Sequence, residues 1–326
     1  MRHLRLVPDT TNINFFAAAR YTFGASVIMM VLSLVFVAVF GLNFGIDFRG
    51  GTTIRTESTA PVDIASKRTA LAALDLGDIS ITEVFDPTFG PERNVAMIRI
   101  QAQDGQEAVT PEMIAAVEGA LQAIDPAITF PSVESVGPKV SGELIWSAIL
   151  SVIGATGAIL IYIWLRFEWQ FAVGAVVALV HDVLVTVGVF ALFQIRFDLA
   201  VIAALLTILG YSINDTVVVF DRLRENLIKF KSRPLIEVMN LSVNETLSRT
   251  IMTTGTTLVA LIALLVLGGD VIRGFVFAIA FGIVIGTYSS VYVAKNVVLW
   301  LGVKRDWTKK EDGDGPAGTQ FAKVDP

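Results

Sequence analysis

Cysteine is missing from all 326 residues, so disulfides, iron–sulfur clusters and thiolate zinc sites are excluded. Histidine occurs only as His3 and His181, too few for a histidine metal cluster, and no cofactor is expected. Charge is scarce: Asp, Glu, Lys and Arg make up 17% of the chain, where a soluble domain carries about 25%. No glycine-rich phosphate loop ending in Lys-Ser or Lys-Thr is present. The chain is therefore not expected to hydrolyse ATP, and it reads as a non-enzyme. A cleavable signal pattern is missing too. The first apolar block follows a mostly polar stretch and has no small-residue cleavage pattern behind it, so it is expected to stay as a helix.

What the chain has is apolar length. Hydrophobic residues make up 54% of it, in blocks of about 18 or more, enough to cross roughly 30 Å of hydrocarbon. These blocks predict six transmembrane helices, over 21–42, 144–165, 171–193, 199–221, 251–268 and 274–301. Lysine and arginine sort the connections. Fifteen lie before the first helix, in 166–170, in 222–249 and after 301; nine lie in 43–142 and at Arg196 and Arg273. Lys295 sits inside the last helix. By the positive-inside rule, the segment 1–20, the loop 222–249 and the polar tail 306–326 are cytoplasmic, and residues 43–142 are periplasmic. The chain reads as a multi-pass inner-membrane protein with one looped-out domain.

Residues 43–142 have ordinary soluble composition. Strands are predicted at 51–58, 79–86, 95–102 and 127–136, and helices at 61–75 and 111–124. Pro61 marks the start of the first of these helices. Thr110 caps the second, ahead of Pro111 at its first position. The order β-α-β-β-α-β is the split βαβ, or ferredoxin-like, arrangement. Seven basic and fourteen acidic residues make this segment acidic, so it should repel nucleic acid. It holds no histidine and no nucleophile–base pair, and reads as a binding or mechanical module.

A charge inside a membrane helix is costly and marks a functional candidate. Asp215 lies in the fourth helix, within SINDTVVVFDRLREN, next to Asn214. Thr207 and Tyr211 precede it at four-residue spacing, so a carboxylate and two hydroxyls share a face suited to a proton relay. A carboxylate merely paired with a cation is the plainer alternative. Arg249 opens the fifth helix, with Thr253, Thr256 and Thr257 on its face, and its depth allows pairing with Asp215. The plainer role for Arg249 is an anchor that reaches the headgroups. His181 and Asp182 lie in the third helix. Gly174, Ala178, Asp182 and Thr186 form one stripe, which turns Asp182 toward a packed interior as a helix-to-helix bond or a relay member. Gly274, Ala278, Gly282, Gly286, Ser290 and Ala294 form a close-packing seam in the sixth. The stretch 235–248 is mildly amphipathic and suits a membrane surface.

Four segments together carry a resemblance: GIDFRGG at 45–51, RFEWQFAVGAVVALVHD at 166–182, GYSINDTVVVFDRLREN at 210–226 and SRTIMTTGTTL at 248–258. Over roughly residues 20–305 the chain resembles the SecF family, the smaller subunits of bacterial SecD–SecF export complexes in the resistance–nodulation–division superfamily. The resemblance implies half of a two-half bundle, with SecD as the obligate other half. It further implies the SecYEG channel, SecA indirectly and YajC as partners, and an unfolded preprotein as substrate. The implied activity is proton-driven assistance to late-stage translocation, with Asp215 and Arg249 as the proton-linked pair. GIDFRGG, with Gly45, Asp47, Gly50 and Gly51, would be the hinge to the outer domain. A scaffold subunit and half of a proton-driven lipid or small-molecule exporter remain as alternatives.

Overall fold

The computed structural model describes residues 11–74, 76–77, 79–84, 93–101 and 110–303. The tail 306–326 therefore lies outside the described residues. Among those residues, six helices are long and apolar enough to cross a membrane. They are α1 (Ala19–Phe40), α5 (Pro138–Arg166), α6 (Trp169–Leu192), α7 (Leu199–Lys229), α8 (Leu235–Leu267) and the run from α9 (Asp270–Ser289) to α10 (Lys295–Leu301). A π-helical segment, Ser290–Ala294, joins the last two. Short α2 (Ile46–Arg49) leads into the sheet domain, which holds β1 (Gly51–Ser58), α3 (Ile64–Ala72), β2 (Ile79–Val84), β3 (Asn94–Gln101), α4 (Pro111–Ile124) and β4 (Thr129–Val136).

The sheet runs β2-β3-β1-β4 with every neighbouring pair antiparallel, the order a split βαβ unit produces. Strand alternation sends Ile54, Ile81, Ile98 and Ile100 to one face, where they meet Leu71, Val117 and Leu121 from α3 and α4. The helices begin where side chains satisfy free amides. Asp63 accepts from Ala65 and Ser66, and Thr110 accepts from Met113 with Pro111 behind it.

The membrane part has two apolar cores. One gathers Phe171, Phe220, Leu223, Val238, Met239 and Val298, and the other Phe190, Phe197, Ala204, Ile208, Ala278 and Ile283. Each of α6, α7 and the α9–α10 run contributes to both cores. Each changes to polar residues in between, at His181–Asp182, Ser212–Asp215–Thr216 and Ser289–Ser290. A buried polar layer thus crosses the bundle at mid-height.

Small residues set how closely these helices approach. A Cβ on Gly282 would lie 2.3 Å from Ile208 Cδ1, and one on Gly174 would lie 2.8 Å from the Ala294 carbonyl oxygen. The seam from Gly274 to Ala294 therefore packs on α6 and α7 of the same chain. One expectation changes: 235–248 continues into α8 as a single 33-residue helix. No proline or glycine interrupts 235–254, and Val238, Met239 and Val243 are buried against protein instead of lying on a surface.

Candidate functional site

The polar layer holds two buried carboxylates with different surroundings. Asp182 is fully buried on α6. Its Oδ2 accepts from the Ser212 hydroxyl at 2.6 Å and the Ser289 hydroxyl at 2.8 Å, and its Oδ1 lies 3.0 Å from His181 Nδ1. Both oxygens are satisfied, which ties α6 to α7 and α9. His181 Nε2 is buried without a hydrogen-bond partner.

Asp215 is 5% exposed on α7. Its Oδ1 accepts from the Thr250 hydroxyl at 2.9 Å, across to α8. Its Oδ2 is buried and has no hydrogen-bond partner. Two cations act on this carboxylate: Lys295 first, then Arg249. Arg249 is exposed and stands outside ion-pair distance, so the pairing that depth allowed is not closed here. Lys295 has no exposed surface, and its Nζ also lacks a hydrogen-bond partner.

The other candidate residues do not converge on Asp215. Thr207 is exposed and its hydroxyl turns back onto the Ala203 carbonyl. Tyr211 Oη is 3.3 Å from Thr257 Oγ1, a contact between α7 and α8 beside the site. Asn214 is exposed and lines a cavity of about 450 Å³ with Ala158, Tyr162 and Val217. Thr253 bonds the carbonyls of Arg249 and Thr250 in its own helix. The buried face of α8 lies one residue round from the expected one, at Ser242, Thr246, Thr250 and Thr254. Four hydroxyls at a spacing of four are the sequence signal that finds it. Lys295 carried the same kind of signal, a charge inside an apolar run.

A second constellation lies where α1 leaves the membrane. The amide of Gly45 donates to the Phe197 carbonyl and the amide of Phe197 to the Asn43 carbonyl, each at 2.8 Å. Asp47 Oδ2 accepts from the Leu199 amide at 3.0 Å, so a side chain of GIDFRGG caps α7 from outside that helix. Asp198 adds its own cap, accepting from Val201 at 3.1 Å. Burial pushes the Asp198 carboxyl up, while the Val201 amide and Arg196 hold it down. Gly50 and Gly51 take φ of 75° and 134°, a backbone region that side chains disfavour. Gly45 has ordinary backbone angles and is instead needed for space: a Cβ there would lie 3.3 Å from Asp198 Cβ.

Both sites include residues that lie within stretches of the chain matched by known families. Residues 116–304 match the family described as protein export membrane protein SecD/SecF, C-terminal, and residues 35–62 match the SecD/SecF GG motif. A protein translocase subunit SecF from Cereibacter sphaeroides is 70% identical over 322 residues, covering 99% of this chain and 98% of its own. One from Rickettsia rickettsii is 38% identical over 308 residues, covering 94% and 97%. The fold is similar to SecDF from Thermus thermophilus, described as a translocon-associated membrane protein, with a TM-score of 0.78 and 36% identity over 91% of this chain. SecDF in its super-membrane-facing form gives a TM-score of 0.67 and 37% identity over 92%. The chain spans about 40% of those SecDF chains. It belongs to the SecF family of protein translocase subunits.

Proposed function

We propose that this chain is the SecF half of a SecD–SecF complex in the bacterial inner membrane. In this reading it uses the proton-motive force to assist late-stage preprotein translocation, and it has no enzymatic step of its own. The observation that carries the reading is the half-bonded carboxylate of Asp215. It is buried inside the helix bundle, with Thr250 on one oxygen, no hydrogen-bond partner on the other, and two cations in electrostatic reach. A buried carboxylate of this kind changes charge state when its surroundings shift by a small amount. Asp215 is thus the proton-binding group, with Lys295 and Arg249 as the cations in its electrostatic reach. Asp182, with both oxygens bonded, serves as the fixed strut beside it.

The link to the outer domain runs along α7. Asp215 lies sixteen residues from Leu199, or about 24 Å along the helix. The far end of that helix is capped by Asp47 of GIDFRGG, and Gly50 and Gly51 then lead into β1. A tilt or slide of α7 therefore pulls on the base of the sheet domain, with the glycine pair as the hinge. Partnership fits the free surfaces. Helix α5 exposes Trp146, Leu150, Ile153 and Trp164 along one face, a face left for SecD and lipid. SecYEG, SecA and YajC are the wider machinery in which the complex would act. The positive-inside asymmetry supports cytoplasmic termini and a periplasmic sheet domain.

The test is late-stage translocation in inverted vesicles, with and without a proton gradient. Asp215→Asn keeps the shape and removes the proton site. It is expected to assemble with its partner and to lose the gradient-dependent stimulation. A gradient-dependent rate equal to that of the unmodified protein would leave a scaffold role in its place.

A further inference from the structure

Of the two cations that act on Asp215, Arg249 is the exposed one and Lys295 the buried one. It has no exposed surface, and no hydrogen-bond acceptor meets its Nζ. It cannot reach headgroups, as a lysine near a helix end usually does. An ammonium held in an apolar interior is costly unless a counter-charge answers it. The answering charge is Asp215, on the helix that packs against the π segment.

The backbone there is built to place it. Lys295 follows directly on the π-helical turn Ser290–Ala294. Such a turn inserts one residue and rotates everything after it, and π turns occur often at functional sites. Gly174 on α6 leaves room for the Ala294 carbonyl, which fixes the turn from the other side. The remaining titratable groups on the surrounding elements are already engaged or exposed. His181 and Asp182 on α6 bond each other, Tyr288 on α9 bonds the Thr22 carbonyl and Ser26, and Arg20, Tyr21 and Arg249 are exposed. Tyr292 is half-buried within the π turn itself.

We propose that Lys295 is a working member of the proton site, the counter-charge that closes on the free Oδ2 of Asp215 when that carboxylate ionises. Two buried polar atoms without hydrogen-bond partners lie on elements packed against each other, outside ion-pair distance but in electrostatic reach. When a proton binds Oδ2, the carboxylate is neutral and Lys295 loses its counter-charge. The π turn must then shift to give the ammonium a new environment. Proton binding on α7 thereby becomes a displacement of the last helix. Lys295 acts through Asp215 and is a positioning residue. The inference rests on Asp215 being the proton site.

The test uses the complex with its SecD and dicyclohexylcarbodiimide, which adds to protonated carboxyls in apolar sites. Labelling of the Asp215 peptide is read by mass spectrometry at neutral pH, beside gradient-driven translocation. Lys295→Met is expected to raise Asp215 labelling at least fivefold and to lower the stimulation at least fivefold. Lys295→Arg, which keeps the charge, should return labelling toward the original level. Unchanged labelling in Lys295→Met overturns the proposal. If Lys295→Met does not assemble, the unmodified complex decides. Carbodiimide-activated Asp215 should be attacked by the Lys295 amine, expelling dicyclohexylurea and leaving an amide that joins the two peptides. Asp215 labelled without any such bridge overturns the proposal. Full stimulation in Asp215→Asn would instead overturn the proton site itself, so the two failures are distinct.

Discussion

The two buried carboxylates differ in how many of their bonds are made. Asp182 has partners on both oxygens and is held. Asp215 has Thr250 on one oxygen only. A hydrogen bond to a carboxylate contributes about 1.5–3 kcal/mol, so Thr250 is a main support of the ionised form. Thr250→Val keeps the volume and removes the donor. It is expected to assemble normally and to lower gradient-driven translocation roughly tenfold, measured in the same vesicles. A rate within twofold of the unmodified protein would mean that Thr250 is packing only. The burial of Asp215 was legible in the sequence, because an acid inside an apolar run is costly unless it turns inward. That of Thr250 was not, because the charge of Arg249 points to its own face of the helix and the buried face lies one residue round. Lys295 likewise stood inside an apolar run, that of the last helix. A straight 3.6-residue period across Ser290–Ala294 misplaces every later side chain, so periodicity alone could not show that it faces Asp215.

At the scale of elements, close approach of helices is set by residues with no side chain to spare. Gly188 on α6 is the tightest case: a Cβ there would lie 2.6 Å from the Cα of Ser33 on α1. Backbone cannot step aside as a flexible side chain can. Gly188→Ala is expected to cost about 1–3 kcal/mol and to lower the unfolding midpoint in detergent. Gly255 on α8 has nothing within 4 Å of its added Cβ. Gly255→Ala should hold or raise the midpoint, by up to about 1 kcal/mol of helix propensity. Equal behaviour of the two variants would contradict the packing described for α1 and α6. The strands, the two domain helices and the six apolar runs were readable because each rests on a local signal: alternation, a cap or apolar length. The joining of 235–248 to the fifth helix was not. Its burial comes from contact with α7 and the N-terminal segment, where Asn240 and Asn244 accept from the amides of Phe15 and Ile13. Nothing local in the sequence distinguishes that surface from a membrane interface.

On the proposed function, one helix of the molecule joins the proton site at Asp215 to the domain outside the bundle. Helix α7 carries Asp215 in its middle, and its first turn is capped by Asp47 of GIDFRGG. A transmembrane potential of 100 mV supplies about 2.3 kcal/mol per elementary charge moved, enough to bias a domain between two positions by roughly fiftyfold. The sheet domain has two chain links to the membrane part, Gly50–Gly51 ahead of β1 and Gly137 between β4 and α5, and any motion has to pass through both. The absence of cysteine makes the motion measurable, since two introduced cysteines are the only ones in the chain. Spin labels at Gln122→Cys on α4 and Phe193→Cys after α6, both exposed positions, report the distance from the domain to the membrane part in the SecD complex. With a proton gradient imposed across proteoliposomes, the distance distribution is expected to shift in the unmodified background and to stay fixed in Asp215→Asn. An identical shift in both backgrounds, or none in either, would contradict the coupling of Asp215 to the outer domain.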